Sequence, residues 1–341
     1  MSRVLVDVVH PGHVLFYRPI LERLSSEHTF HIVSREKDVT VDLLNEFGLN
    51  HDVISRQPKN KLGLLKESLI RLVKIWSRLV RYRHSAVFSR NPIGLLAARL
   101  SGTPAIFDTD NGSSAGIHFR LSMLFATCIT CPSQLELHGH RIRAYAALKP
   151  DSYLADSKTY RTELVDSGRL LDYRPILFVR LVSFGASHDV GHTGISEELV
   201  SLIAEKYSHK FRIIVSTEFD GSKLQDSGIE LDEGLRSEFH KRLAHASIVL
   251  TDSGTVSQEA YLLGIPVIFI GSLAGNCEIQ NALARGEETF KVISISDDYE
   301  MIMTLVDTLC QAPFTPPRNI GSEDEIAKVY ESIVSRLRVE K

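Results

Sequence analysis

The chain has 341 residues, of which 43% are hydrophobic and 24% charged, with a formal net charge of −3. This is the balance of a globular protein of about two domains, and so small a charge provides no global field to recruit nucleic acid. Four cysteines make no disulfide framework at this length, no run reaches about 18 uncharged apolar residues, and the chain starts directly in a strand pattern rather than a signal peptide. The expectation is a cytoplasmic protein without a membrane span.

Strand patterns near 3–9 (RVLVDVV), 29–34, 51–54, 85–89, 104–108 and 127–132 alternate with helical patterns near 14–27, 36–47, 62–83, 93–101 and 116–126. Such alternation predicts a parallel, doubly wound sheet over residues 1–150. Cys128 and Cys131 form a C-x-x-C inside the β-branched run "TCITCP" and read as buried thiols. From 151 to 173 the pattern turns polar and broken, which predicts an interdomain linker. Alternation resumes over 174–315, with strands near 175–183, 211–217, 247–251 and 266–270. The helices between and after them fall near 195–207, 235–245, 255–263, 277–285 and 297–311. "APFTPPRN" then breaks the chain before a last helix near 322–338, in the segment 316–341. Ligands of such sheets bind outside the carboxyl ends of the strands, so two doubly wound domains facing across a cleft would place their chemistry on strand-to-helix loops.

Five loops carry suitable residues. Near the start, "VVHPGHVLFYRPILERL" (8–24) turns through His10, Pro11, Gly12 and His13 into a helix. Gly12 permits close backbone approach, and the helix dipole favours a neutral His13, as a base requires. "IFDTDNGSSAG" (106–116) brings Asp108 and Asp110 out of a buried strand. Asp108 suits deprotonation of a hydroxyl; alternatively Asp110 or Asn111 caps the next helix. In "FVRLVSFGASHDVGHTGIS" (178–196), Arg180 lies within a strand, where a lone charge needs a partner or a cleft, and Ser183 and His188 crowd the following turn. In "LTDSGTVSQEAYLLGIPVIFIG" (250–271), Ser253, Gly254 and Thr255 open a helix whose unpaired N–H groups and dipole make an anion seat. Glu259 leans back toward that seat, where its carboxylate suits a neutral diol rather than a phosphate. The alternative is an ordinary Ser or Thr cap with Thr255 and Gln258 as a capping box. After the next strand, Gly271 and Ser272 are placed to flank a bound sugar, with Asn276, Glu278 and Gln280 to read its hydroxyls.

The helix at 62–84 has a different pattern. Leu62, Leu65, Leu69, Leu72, Val73, Trp76, Leu79 and Val80 form one apolar stripe, with Arg71, Lys74, Arg78 and Arg81 on the other face. Either the stripe packs on the sheet with a solvated basic side, or the bases dock on anionic lipid.

The segment "TDSGTVSQEAYLLGIPVI" resembles the nucleotide-sugar motif of the GT-B superfamily, which includes glycosyltransferases and UDP-N-acetylglucosamine 2-epimerase. The His-Pro-Gly-His loop is similar to the glycine-rich loop of the peptidoglycan N-acetylglucosaminyltransferase, here shorter and containing Pro11. Together with "SFGASHDVGHTGIS", these stretches resemble, over nearly the whole chain, a prokaryotic family described as predicted glycosyltransferases. The resemblance implies a GT-B fold of two Rossmann-like domains, the first on the acceptor side and the second on the nucleotide-sugar side. It implies that Ser253, Gly254 and Thr255 hold a diphosphate and Glu259 a ribose, with Arg180 and His188 adding phosphate contacts. It further implies a glycosyltransferase of polysaccharide biosynthesis that moves a sugar from a UDP-linked donor to a glycan or lipid-linked acceptor. His13 or Asp108 would take the acceptor proton, and neither a cofactor nor a metal is obligatory. Peripheral contact with the inner face of a membrane would run through 62–84. The epimerase's His-Arg-Arg-Glu-Asn and Thr-Glu-Arg-Pro-Glu runs are absent, which counts against simple transfer of the epimerase activity. A 2-epimerase-like isomerase and a non-catalytic nucleotide-sugar-binding protein remain the two alternatives.

Overall fold

A computed structural model describes the chain except for residues 1, 38, 59, 172–173, 183–193, 219–220, 222–223, 225–227, 273, 295–298 and 340–341. It divides into two compact units, Met1–Tyr153 with Gly321–Lys341, and Leu154–Ile320. The segment read as a linker thus straddles the division, and most of it is helical.

The first unit runs β1 (Ser2–Val8), α1 (Pro11–Leu24), β2 (His28–Glu36), α2 (Thr40–Glu46), β3 (His51–Arg56), α3 (Lys61–Tyr82), β4 (Ala86–Ser89), α4 (Pro92–Ser101), β5 (Ala105–Asp108), α5 (Gly116–Phe125), β6 (Cys128–Pro132) and β7 (Ile142–Tyr145). Its strands pair in parallel in the order β3-β2-β1-β4-β5-β6-β7. Val4, Val6, Ile32, Phe88 and Ile106 face one side of this sheet, where they pack with α1 and α2. Leu5, Val33, Val87 and Phe107 face the other, with α3, α4 and α5.

The second unit runs α6 (Ala155–Asp166), β8 (Ile176–Leu181), α7 (Glu197–Tyr207), β9 (Arg212–Thr217), β10 (Glu230–Leu231), α8 (Phe239–Leu243), β11 (Ile248–Thr251), α9 (Gly254–Leu262), β12 (Val267–Ile270), α10 (Glu278–Ala284), β13 (Phe290–Ile293) and α11 (Tyr299–Leu309). Its parallel order is β10-β9-β8-β11-β12-β13. The last helix, α12 (Glu323–Val339), returns to the first unit, where Ile326, Tyr330, Ile333 and Val334 join the α1 side of the core.

α3 forms where expected but is turned the other way. Glu67, Arg71, Ile75 and Leu79, spaced by four, are its buried residues. Leu62 is 82% exposed and Trp76 42% exposed, and Leu65, Leu69, Val73 and Val80 are exposed with them. The reason lies in β1. Asp7 is completely buried on the α3 side of the sheet, and a buried carboxylate needs a cation. Arg71 pairs with it and also donates to Ser55 Oγ at 3.1 Å. Glu67 in turn accepts from Ser55 Oγ at 2.6 Å and from Arg35 at 3.1 Å. This polar network selects the inward face and leaves Leu62, Leu65, Leu69, Val73, Trp76 and Val80 of the stripe outside, whereas Leu79 is buried and Leu72 packs against the core. Arg71 therefore belongs to no solvated basic face, Arg78 lies 3.4 Å from Asp52, and Lys74 donates to the Ile54 carbonyl.

No helix among the described residues is long and apolar enough to cross a membrane.

Candidate functional site

In a doubly wound sheet the strand order reverses at one point, and the loops there splay apart to make a crevice. That point falls between β1 and β4 in the first unit and between β8 and β11 in the second. The Asp252-Ser253-Gly254 turn follows β11 directly.

Ser253 is the N-cap of α9, its Oγ accepting from Val256 N at 3.3 Å. The cap is therefore the ordinary Ser cap of the alternative reading, without the box expected on Thr255 and Gln258. The amides of Gly254 and Thr255 are among those a helix leaves without internal acceptors. Gln280, read as a sugar contact, instead donates to the Gly254 carbonyl at 2.8 Å and braces the start of α9. A Cβ on Gly254 would lie 3.1 Å from Gln280 Nε2, so the turn is closely fitted.

Asp252 was not singled out by sequence. Its Oδ1 accepts from Val182 N at 2.9 Å and its Oδ2 from Ile195 N at 3.2 Å. The carboxylate thus ties the end of β8 and the approach to α7 to the turn that opens α9. Burial pushes this carboxyl up to about 7, against the opposing pull of those two backbone N–H groups.

Glu259 lies inside the second unit, 2% exposed, with Oε1 3.1 Å from His240 Nε2. Arg180 donates to Ser216 Oγ at 3.1 Å and to Glu218 at 2.7 Å, which supplies the partner its strand position demands. Gly271 is buried and extends the sheet, its N–H bonding the Ile293 carbonyl at 3.1 Å, and Ser272 follows it. Ser183 and His188 lie outside the described residues.

In the first unit His10 caps α1, its Nδ1 accepting from Gly12 N at 3.1 Å, and Pro11 takes the first helical position. His13 is buried, with Nδ1 accepting a long 3.5 Å bond from Val9 N. Burial first, then the charges of Arg90 and His10, hold its imidazole well below the usual histidine range, so it is neutral. Asp108 is completely buried and accepts from Arg90 at 2.6 Å, Thr130 Oγ1 at 2.9 Å and Tyr145 Oη at 3.1 Å. Burial raises this carboxyl to about 6, with Arg90 opposing. Asp110 also pairs with Arg90, and its Oδ2 lies 3.4 Å from Lys149 Nζ. Burial pushes Asp110 up, but the two cations outweigh it and hold it below the usual carboxylate range.

Sequence reasoning missed Arg90 and Lys149. Arg90 follows the buried run "AVFS", the same signal that marked Arg180. Lys149 lies at no strand end and carried no signal. Asp108 serves this buried charge network, with its oxygens occupied by Arg90, Thr130 and Tyr145. Among the described residues, no group of three or more His, Cys, Asp or Glu could hold a metal ion.

No family model and no curated protein matches the sequence. The similarity is structural. The UDP-GlcNAc 2-epimerase of Neisseria meningitidis, solved with UDP-GlcNAc bound, superposes with a TM-score of 0.73 at 14% identity, over 98% of this chain and 100% of its own. MnaA of S. aureus, solved with UDP, gives 0.76 at 14% identity, over 99% and 97%. MurG of Acinetobacter baumannii gives 0.55 at 14% identity, over 99% of each chain. The chain has the GT-B fold. Both Rossmann-like units are accounted for over essentially the full length of each neighbour, and at this identity the likeness concerns architecture.

Proposed function

We propose that this chain is an enzyme that binds a UDP-sugar and breaks the bond between the anomeric carbon and the diphosphate. The observation that carries this reading is the start of α9. It combines a Ser253 cap, amides at Gly254 and Thr255, and a place at the β8/β11 reversal, where a diphosphate gains both hydrogen bonds and dipole. The neighbours solved with UDP-GlcNAc and with UDP support the same ligand class.

Heterolysis of the anomeric C–O bond adds one negative charge to the diphosphate, to be stabilised on the β-phosphate oxygen of the departing UDP. The α9 amides supply that stabilisation without a metal. Glu259, held by His240, takes the ribose hydroxyls. His13 and Asp108 remain the residues proposed for proton transfer, and their surroundings divide the work. Asp108 fixes Arg90, whereas the neutral His13 takes the acceptor proton, since its long bond from Val9 makes the alternative tautomer cheap.

Transfer to a glycan or lipid-linked acceptor is the leading outcome, supported by the exposed apolar face of α3 on the first unit. A 2-epimerase-like isomerisation is the second reading, favoured by the higher TM-scores of the epimerase of Neisseria meningitidis and of MnaA compared with MurG.

The test is a thermal-shift screen with UDP and UDP-sugars, followed by product analysis. A UDP-sugar that binds only the folded state raises the melting temperature, and Glu259→Ala should abolish that rise. Conversion of the donor sugar without acceptor would establish the isomerase. Acceptor-dependent release of UDP would establish the transferase. Binding with neither product over a broad acceptor panel would make the protein a nucleotide-sugar binder. No shift from any UDP compound would refute the proposal.

A further inference from the structure

α3, α4 and α5 cover one face of the first sheet, around the shared cluster of Ile75, Leu95, Phe107 and Ala126. Their outer side has an unusual composition. Leu62, Leu65, Leu69, Val73, Trp76 and Val80 follow spacings of three and four, so they form one straight exposed stripe on α3. At 1.5 Å per residue this stripe is about 27 Å long. Leu100 on α4 and Ile117, Leu121 and Leu124 on α5 are exposed too, Ile117 at 75%. A contiguous apolar surface larger than a few hundred Å² marks an interaction site.

The charges identify what covers it. Residues 61–125 contain ten Lys or Arg and three Asp or Glu. All three acids, Glu67, Asp108 and Asp110, are buried. Lys66, Lys74, Arg81, Arg83, Arg99 and Arg120 are exposed. The outer side of this three-helix layer therefore presents apolar side chains rimmed by cations; no carboxylate of residues 61–125 is exposed on it, and the exposed Asp52 of β3, beside α3, lies 3.4 Å from Arg78. A second copy of the chain fits poorly, because a twofold contact sets the same patch against itself and brings six cations against six. An anionic lipid surface satisfies both features, burying the apolar stripe at the acyl boundary and neutralising the rim.

We propose that the outer face of α3, α4 and α5 docks the protein on an anionic membrane, with the α3 stripe inserted and the surrounding lysines and arginines on lipid phosphates. This assignment is independent of the nucleotide reading. It also corrects the lipid-docking alternative read from the sequence, in which Arg71, Lys74, Arg78 and Arg81 made the contact, because Arg71 is buried.

The chain has one tryptophan, and Trp76 lies on this face, so its emission reports occupancy directly. The full chain is titrated with vesicles of phosphatidylcholine alone and of phosphatidylcholine mixed with phosphatidylglycerol, following emission and co-sedimentation. A blue shift and sedimentation with the anionic vesicles, reversed by salt, are expected, with neutral vesicles giving neither. Arg81→Gln, Arg83→Gln and Arg120→Gln should each lower the partition coefficient about fivefold. Leu69→Gln with Val73→Gln should abolish the blue shift, and the UDP-induced thermal shift should persist in all these variants. Unchanged Trp76 emission with anionic vesicles would overturn the proposal. So would a blue shift that follows protein concentration without lipid, because it would assign the face to self-association.

Discussion

Arg71 and Asp7 are the most exacting test of how α3 is seated. Both side chains are essentially removed from solvent, and Asp7 has Ser89 Oγ at 2.9 Å besides the guanidinium. In Arg71→Met the methionine fills most of the volume, so the cost comes from charge. Asp7 is left buried with one hydroxyl donor, and Glu67 keeps Arg35 and Ser55 but loses the cation 3.8 Å away. Breaking one partner of a buried pair costs about 3–5 kcal/mol. For a folding unit of this size that lowers the melting temperature by roughly 6–20 °C. Denaturant unfolding followed by Trp76 emission reads the first unit alone. Arg81→Met, on the exposed side of the same helix, should change stability by less than about 0.5 kcal/mol. The double variant Asp7→Leu with Arg71→Leu should lose much less than Arg71→Met, because no charge remains buried. If Arg71→Met costs no more than Arg81→Met, the polar seam does not hold α3, and the account of its orientation fails.

Other consequences follow from the second unit and from α4. Gly254→Ala crowds Gln280 and should weaken the UDP thermal shift while leaving the fold intact by circular dichroism. At Gly264 the backbone has φ +73°, and an added Cβ would lie 2.5 Å from the Pro316 carbonyl oxygen. Gly264→Ala should therefore destabilise the second unit by more than about 1 kcal/mol in denaturant titration. A Cβ on Gly94 would lie 2.6 Å from Ser89 Oγ and closer still to Asp7, so Gly94→Ala should disturb the Arg71 network and lower the stability read by Trp76. Asp252 takes up its proton near pH 7 when folded but near pH 4 when unfolded. Its contribution is therefore fully present below the unfolded value and is lost as pH rises through about 7. Asp252→Asn should flatten the decline in second-unit stability between about pH 4 and 7, measured by thermal melts across that range.

The regular part of the fold was legible because buried parallel strands are continuous apolar runs, and "RVLVDVV", "SIVLT" and "PVIFI" are such runs. The elements that were missed lack that signal. β7 is only Ile142–Tyr145, with Arg143 and Ala144 exposed. β10 has two residues, and the middle two of β13's four are half-buried. α6 was read as linker because it has no apolar stripe. It is held instead by Arg161, which is completely buried and donates to the carbonyls of Ala244 at 2.6 Å and Ala246 at 3.1 Å. α3 shows a subtler limit. Its hydrophobic periodicity is real, yet the inward face is chosen by one carboxylate some sixty residues earlier. Asp7 in a buried strand was a readable demand for a cation, but only the folded sheet identifies Arg71 as the residue that meets it.

Under the proposed function, the two strand-order reversals would serve two kinds of chemistry on one topology. In each unit a helix begins beside the first strand of the sheet, capped by a polar side chain, His10 for α1 and Ser253 for α9. Around α9 Ser253, Gly254 and Thr255 are half-buried, and the neighbouring acid Asp252 is turned to the backbone of Val182 and Ile195, so the helix start presents N–H groups and dipole. That environment suits a diphosphate. Around α1 the cations Arg90 and Lys149 are matched by the carboxylates Asp108 and Asp110, beside a neutral His13. A second diphosphate there would have to displace those carboxylates from their cations, at the cost of leaving buried acids unpaired. If the proposed function holds, the first unit is better suited to moving a proton than to holding a phosphate, because its acids are paired with its cations.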